Sequence, residues 1–322
     1  MTNRPGLPLL AVATTLVLWA SAFVAIRHLG HDFSAGPLTL ARQGTGAVAL
    51  GFFALRSGLP RPTGRQWISL IVIGVLWFSI YHLALNQGEL WVDAGTAAML
   101  LQVSPVLVAG LAAMFLGERF TAPLVVGLLV AFAGVALIGL SGSGDSGDSG
   151  VDPDKVLLGA LLCLVSAITY SVSLILQKPL VAELSAVHVT WLACVIGAAT
   201  CLPFAPALVS EATDAPTSSL AWVVYLGVFP TAIAFTTYAY ALRHMTASSL
   251  GVTTYLVPPL TIVMALVFLG EAPPPIAYVG GVLALVGVAI TRRSKAAAAI
   301  PAEEGSEDDL APPAAVGPGT PP

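Results

Sequence analysis

Ten apolar runs, each about the length of a bilayer-crossing helix, leave this chain few alternatives to a life in lipid. A helix needs about 20 residues to cross ~30 Å of hydrocarbon. Runs of that order lie at 9–26, 37–55, 67–85, 95–116, 122–140, 156–176, 187–209, 220–240, 247–269 and 276–290. Of the 322 residues, 57% are hydrophobic and only 9% charged, against about 25% charged in a soluble domain. No soluble globule has interior enough to hide that surface. The first run contains "ASA" at residues 20–22, which mimics a signal-peptidase site. It continues past that point to Ile26 and reads as a retained helix.

The basic residues set an expected orientation. With the N-terminus cytoplasmic, the inner segments collect ten: Arg4, Arg56, Arg61, Arg65, Arg119, Lys178, Arg243, Arg292, Arg293 and Lys295. The outer loops hold Arg27 and Lys155, and Arg42 falls within a span. Positive charge is retained on the cytoplasmic side, so both ends are expected inside, in the plasma membrane. The Gly/Ser/Asp segment 141–155 would be an external linker. The Ala/Pro/Glu-rich stretch 293–322 would be an unstructured cytoplasmic tail, as residues 1–8 would be a short cytoplasmic start. Clustered Lys and Arg for nucleic acid are absent from this sequence. Cys163, Cys194 and Cys201 lie in or beside apolar runs with no C-x-x-C spacing and read as small hydrophobes.

The chain repeats itself. Residues 105–136 match 258–289 without a gap at 13 of 32 positions, including Pro105/Pro258, the string FLGE ending at Glu118 and Glu271, Gly127/Gly280 and Gly134/Gly287. Weaker echoes at a shift of 151 pair Trp19 with Tyr170 and Thr39 with Thr190. The unit therefore covers five runs, 9–140 and 156–292. Five is odd, so the second copy enters the membrane from the opposite face. The expected fold class is an all-α polytopic membrane protein, ten transmembrane helices in two inverted five-helix repeats. Such inverted repeats characterise secondary transporters, whose sites lie between the halves near the midplane.

Several strings carry a family resemblance. "LWASAF" at 18–23, the Pro37 and Arg42 pair, "DAGTAAML" before a mid-helix Pro and above all "YLVPPLTIVMALVFLGE" resemble EamA-type carriers of the drug/metabolite transporter superfamily. Ala20 stands where that family often has Gly, and "ITYS" at 168–171 keeps only the aromatic. The resemblance covers nearly all of 9–290. It implies a fold of this kind, a contact between the fifth and tenth helices, and export of small metabolites, amino acids or drugs by alternating access.

Individual residues suggest roles. Glu118 and Glu271 close the fourth and ninth runs and read as boundary acids at tight turns, where a basic or N–H partner is expected beside a helix C-terminus. Pro105 and Pro258 each free the carbonyl four residues back, on Leu101 and Thr254, so they are either simple kinks or kinks beside a cavity. Gly127 and Gly134, with Gly280 and Gly287, form small-residue packing seams. Arg42 either snorkels outward or pairs with Asp93 or Glu89; with Asp93 it would form an outer gate. His82 is the histidine deep in a span, either structural or titrating.

The expected substrate lining is Trp19, Tyr81, His82, Gln102, Ser104, Tyr170, Tyr238, Thr254 and Tyr255, whose aromatics suit an apolar or cationic solute. Partners would be a small-molecule substrate, the lipid bilayer and a coupling proton, with no nucleic acid; a homodimer is compatible but not implied. No Walker A or H-E-x-x-H string is present, so no cofactor or metal is expected. The competing class is a membrane-embedded enzyme or lipid-modifying protein with a polar site near His82 and Asn86.

Overall fold

The computed structural model describes residues 6–115, 153–245, 250 and 253–298, with isolated positions between 122 and 137. Among these every element is helical. In order they are α1 (Gly6–Leu29), α2 (Ala35–Arg56), α3 (Gly64–Gly88), α4 (residues 94–115), α5 (Pro153–Glu183), α6 (Ala186–Thr200), α7 (Ala205–Asp214), α8 (Thr217–His244), α9 (Thr254–Leu269) and α10 (Pro275–Ala298).

Five helices among the described residues are long and apolar enough to cross a membrane: α1, α2, α3, α5 and α8. A sixth crossing is formed if α6 and α7 count as one span bent by 52°. The bend follows a short 3-10 turn, Leu202–Phe204, whose Pro203 has no N–H to continue an α-helical ladder. The expectation of ten is thus met only in part. α4, α9 and α10 offer shorter apolar helices, Ala94–Val108, Thr254–Leu269 and Pro275–Gly287. The run at 122–140, with Gly127 and Gly134 both buried, falls mostly outside the described residues. α10 continues to Ala298, past Ser294, where the sequence suggested that structure would end.

Local sequence sets the helix ends. Thr63 opens α3 with a capping box shared with Gln66, and Ser185 caps α6 by accepting from the His188 N–H. Asp93 caps α4, accepting from Thr96 N at 2.8 Å and from Thr96 Oγ1 at 2.5 Å. α9 stops at Gly270, whose φ of 68° lies in the left-handed region and whose N–H reaches the Ala265 carbonyl. The second FLGE therefore contains a helix stop, and glycine is there because a side chain would strain that turn.

Two kinds of helical irregularity recur in both repeats. π-Helical turns occupy Leu76–Tyr81 in α3 and Gly227–Ile233 in α8. In each, a hydroxyl bonds the carbonyl five residues back: Ser79 to Gly74 at 3.4 Å and Thr231 to Leu226 at 2.8 Å. 3-10 turns occupy Leu101–Val103 in α4 and Thr254–Leu256 in α9, just before Pro105 and Pro258. The carbonyls those prolines free are both taken: Ser104 Oγ donates to Leu101 O at 2.6 Å, and Gln102 Nε2 donates to Thr254 O at 3.3 Å. The 3-10 turns take the same carbonyls through the main-chain N–H of Ser104 and of Val257, so neither is left loose, for which lipid offers no partner.

α1 packs against α8 and α9; α2 against α6 and α8; α3 against α5 and α6; α4 against α5, α9 and α10. Small residues permit the close crossings. A Cβ on Gly197 would lie 2.6 Å from Phe78 Cβ, and one on Gly227 would lie 1.7 Å from Thr45 Oγ1 and 2.9 Å from the Arg42 carbonyl. Gly280 and Gly287 are buried in α10. The next residue, Gly281, makes a close approach of its own: its Cβ would meet Met99 Sδ of α4 at 2.6 Å. Apolar side chains such as Val48, Phe52, Val267, Phe268 and Val282 point outward. They form the lipid-facing surface of a multi-pass membrane protein.

Candidate functional site

The helices enclose a central cavity with about 590 Å³ of empty space, its open mouth included. Both halves of the chain line it. From the first come Trp19, Phe23 and Ile26 of α1, Arg42 of α2, Tyr81 and Leu85 of α3, and Leu101, Gln102 and Ser104 of α4. From the second come Tyr170 of α5, Phe235 of α8, and Thr254 and Val257 of α9. The π turn in α3 ends at Tyr81, and the 3-10 turns supply Leu101, Gln102 and Thr254, so the irregular segments border the cavity.

One wall is aromatic, made by Trp19, Tyr81, Tyr170 and Phe235, with Tyr238 and Trp77 packed behind it and not lining the cavity. Trp19 lies 5.4 Å from Phe235, 4.7 Å from Tyr238 and 6.4 Å from Tyr170, centroid to centroid. Trp77 packs at 5.1 Å from both Tyr170 and Phe235. Tyr170 and Tyr238 share a hydroxyl hydrogen bond of 2.5 Å, which ties α5 to α8. Trp77 and Phe235 are not among the residues singled out from sequence. The helical spacing could have found them: Trp77 is four residues before Tyr81, and Phe235 three before Tyr238, so each pair shares a helix face.

The polar wall centres on Arg42, which is buried. Its Nε donates to Thr231 Oγ1 at 2.7 Å, while its Nη1 is buried without a hydrogen-bond partner. Arg42 does not snorkel to a surface, and Asp93, the partner expected for it from sequence, caps α4 through Thr96. The ion pair among the described residues joins Arg27 Nε to Glu271 Oε1 at 3.0 Å, with Oε2 at 3.2 Å. Arg27 Nη1 also donates to the Glu89 carbonyl at 2.8 Å. Glu271 thus has its basic partner, from α1. Glu118 and Arg119 lie outside the described residues.

His82 is buried and sits behind the cavity. Its Nδ1–H donates to the Trp77 carbonyl at 2.8 Å, closing a π-turn acceptor. Asn86 Nδ2 donates to Thr39 Oγ1 at 2.9 Å. His82 and Asn86 lie one helical turn apart, His82 bonded within α3 and Asn86 tying α3 to α2. Tyr255 is half-buried and packs against the core beside Thr254. Pro258 is buried and Pro105 half-buried; Val257 and Ser104, the residues before them, are the ones at the cavity.

Glu89, the first residue past α3, is fully buried, and neither carboxyl oxygen has a hydrogen-bond partner. Burial pushes its carboxyl well above the usual carboxylate range, against the lowering pull of Arg27 and Arg42. Burial also raises Asp93, opposed by its two bonds from Thr96.

The chain is similar to known transporters over most of its length. A probable terminal-alkyne amino-acid exporter of Streptantibioticus cattleyicolor is 37% identical over 283 residues, covering 88% of this chain and 92% of that one. An uncharacterised transporter of Bacillus subtilis, YdfC, is 30% identical over 85% of this chain and 87% of its own. An uncharacterised transporter of Archaeoglobus fulgidus is 26% identical over 89% and 99%. A solved crystal structure at 23% identity superposes with a TM-score of 0.60, covering 91% of this chain and all of the other, which supports the fold. The profile of the EamA-like transporter family matches twice, at residues 6–140 and 157–293, and the chain, a multi-pass membrane protein of two such repeats, belongs to that family within the drug/metabolite transporter superfamily.

Proposed function

We propose that the chain exports small amphipathic amino acids across the plasma membrane, by alternating access between two inverted five-helix repeats. As a member of its family it is a secondary transmembrane transporter of small molecules embedded in a bilayer, and not an enzyme. The observation that carries the substrate class is Arg42, a buried guanidinium with a free Nη1 at the wall of an aromatic cavity. A guanidinium holds a carboxylate through charge-assisted hydrogen bonds. Trp19, Tyr81, Tyr170 and Phe235 offer faces to an apolar side chain or an ammonium. Gln102, Ser104 and Thr254 add polar contacts, and one relative is a probable terminal-alkyne amino-acid exporter.

The packing supports a twofold relation between the halves, which inversion requires. Exchanging the halves converts the α1–α8 contact into the α5–α3 contact, α1–α9 into α5–α4, and α2–α8 into α6–α3; α2–α6 and α4–α9 map onto themselves. The π turns exchange with each other, and so do the 3-10 turns. An approximate twofold axis through the cavity accounts for the whole set.

Counterflow in proteoliposomes tests the reading. Vesicles loaded with unlabelled propargylglycine, a terminal-alkyne amino acid, should take up the labelled compound, and Arg42→Gln should reduce exchange about tenfold or more, the loss expected when a charged partner goes. No exchange, or exchange indifferent to Arg42→Gln, would reject this substrate class.

A further inference from the structure

The ion pair Arg27–Glu271 joins the two repeats at one rim, and a third acid, Glu89, is buried beside it unpaired. We propose that Glu89 is a proton-binding residue that controls the outer gate: protonated, it lies buried and leaves Arg27 on Glu271; ionised, it competes for Arg27 and loosens the tie between the repeats.

The geometry places the three groups together. Arg27 Nη1 already rests on the Glu89 main-chain carbonyl at 2.8 Å, while its Nε holds Glu271. A carboxylate formed on Glu89 is therefore within reach of a guanidinium that has another ligand to give up. Leu85 lines the cavity, and Glu89 follows one helical turn later on the same face, so the acid lies between the cavity and the rim. The charged and titratable groups that act on it come from every side: Arg27 of α1, Arg42 of α2, Glu271 after α9, and Asp93 on its own loop, with Tyr81 of α3 and Cys163 of α5 also within its field. An acid buried without a donor is sustained in its neutral form, because the charged form would lack both water and hydrogen bonds. The raised titration range of Glu89 accords with this. Its proton exchanges with water at the rim, and no other bond changes.

This rests on the proposed topology only in naming that rim as external, the face away from the basic residues. The test uses purified full-length protein and its infrared difference spectrum as pH is raised. A buried carboxylic-acid carbonyl band should vanish above the ordinary carboxylate range, be missing from Glu89→Gln, and persist in Glu271→Gln, Asp93→Asn and the titratable Glu89→Asp. That last variant separates loss of the acid from loss of the fold. An unchanged band in Glu89→Gln overturns the proton site.

For the gate, Ser104→Cys is placed in protein lacking Cys163, Cys194 and Cys201 and labelled with a membrane-impermeant thiol reagent. Dividing its labelling rate by that of the same protein with Glu89→Gln cancels the thiol's own titration. The ratio should climb as pH rises; a constant ratio overturns the gate. Neither readout involves a transported solute, so failure of propargylglycine exchange would reject the substrate class and leave Glu89 standing.

Discussion

Arg42 shows what a single residue does here and how much of it was written in the sequence. A lone arginine inside an apolar run stands out, because a charge at that depth is tolerated only with partners or a role. Its partner was not legible. Thr231 lies 189 residues away, in a π turn that no local pattern announces. Thr231→Val removes the acceptor of a buried guanidinium N–H and should lower stability by about 1–3 kcal/mol, seen as a drop in the thermal midpoint in detergent; Thr231→Ser should recover most of it. Glu89 and Asp93 make a second prediction. Burial raises both carboxyls, so over the interval between the unfolded and folded pKa values the folded protein binds more protons than the unfolded chain. The stability they support is full at and below the ordinary carboxylate range and is lost as pH climbs through the raised values. Thermal midpoints should therefore fall with rising pH from that range upward, and Glu89→Gln should flatten the fall. A midpoint that rose over the same interval would contradict the burial of Glu89.

At the scale of elements, the repeat made some features readable and packing decided others. Pro105 and Pro258 mark where α4 and α9 change character, and the freed carbonyls follow from the missing N–H. The π turns in α3 and α8 carry no such mark: only one contains a proline, Pro230, and what they share is a hydroxyl reaching five residues back. Glycine-rich seams were legible as a type; Gly281, beside the repeated Gly280, adds a close approach to Met99 of α4 that the repeat did not announce. Gly197 and Gly227 serve the α3–α6 and α2–α8 crossings, and main-chain atoms bound the space at both. Gly197→Ala or Gly227→Ala should sharply lower the yield of folded protein. Gly44→Ala, where nothing lies within 4 Å of the added methyl, should be neutral or gain up to about 1 kcal/mol from helix propensity. Equal yields from all three would mean these helices do not approach as closely as the glycines suggest.

For the whole molecule the question is on which face of the membrane each helix end lies. The described contacts sort the ends into two rims. One gathers Arg27 with Glu271, Ser34 with Glu211, and Ser219 with Asp32; Gly95 against Pro273, and Gly159 against Gly88 and Trp91, put the starts of α4 and α5 on the same side. The other gathers Gln66 with Glu183, Ser57 with His188, and Lys178 with the carbonyls of Leu242 and Met245. α4 runs away from the first rim and α5 starts on it, and between them the sequence offers one apolar run, 122–140. We propose that this run makes one further crossing, which would bring the count to ten with the second repeat upside down relative to the first. The rim with Arg56, Lys178 and Arg243 is the basic one, and we propose on the retention of positive charge that it is the cytoplasmic one. A reporter fused after Arg293 should then be cytoplasmic, and one inserted at 141–150 should be external. If the inserted reporter were cytoplasmic and the fused one external, the molecule would sit the other way up with its halves still inverted; if both lay on one face, the start of α5 and the end of α10 could not lie on opposite rims, and the exchange of access between inverted halves would lose its structural basis.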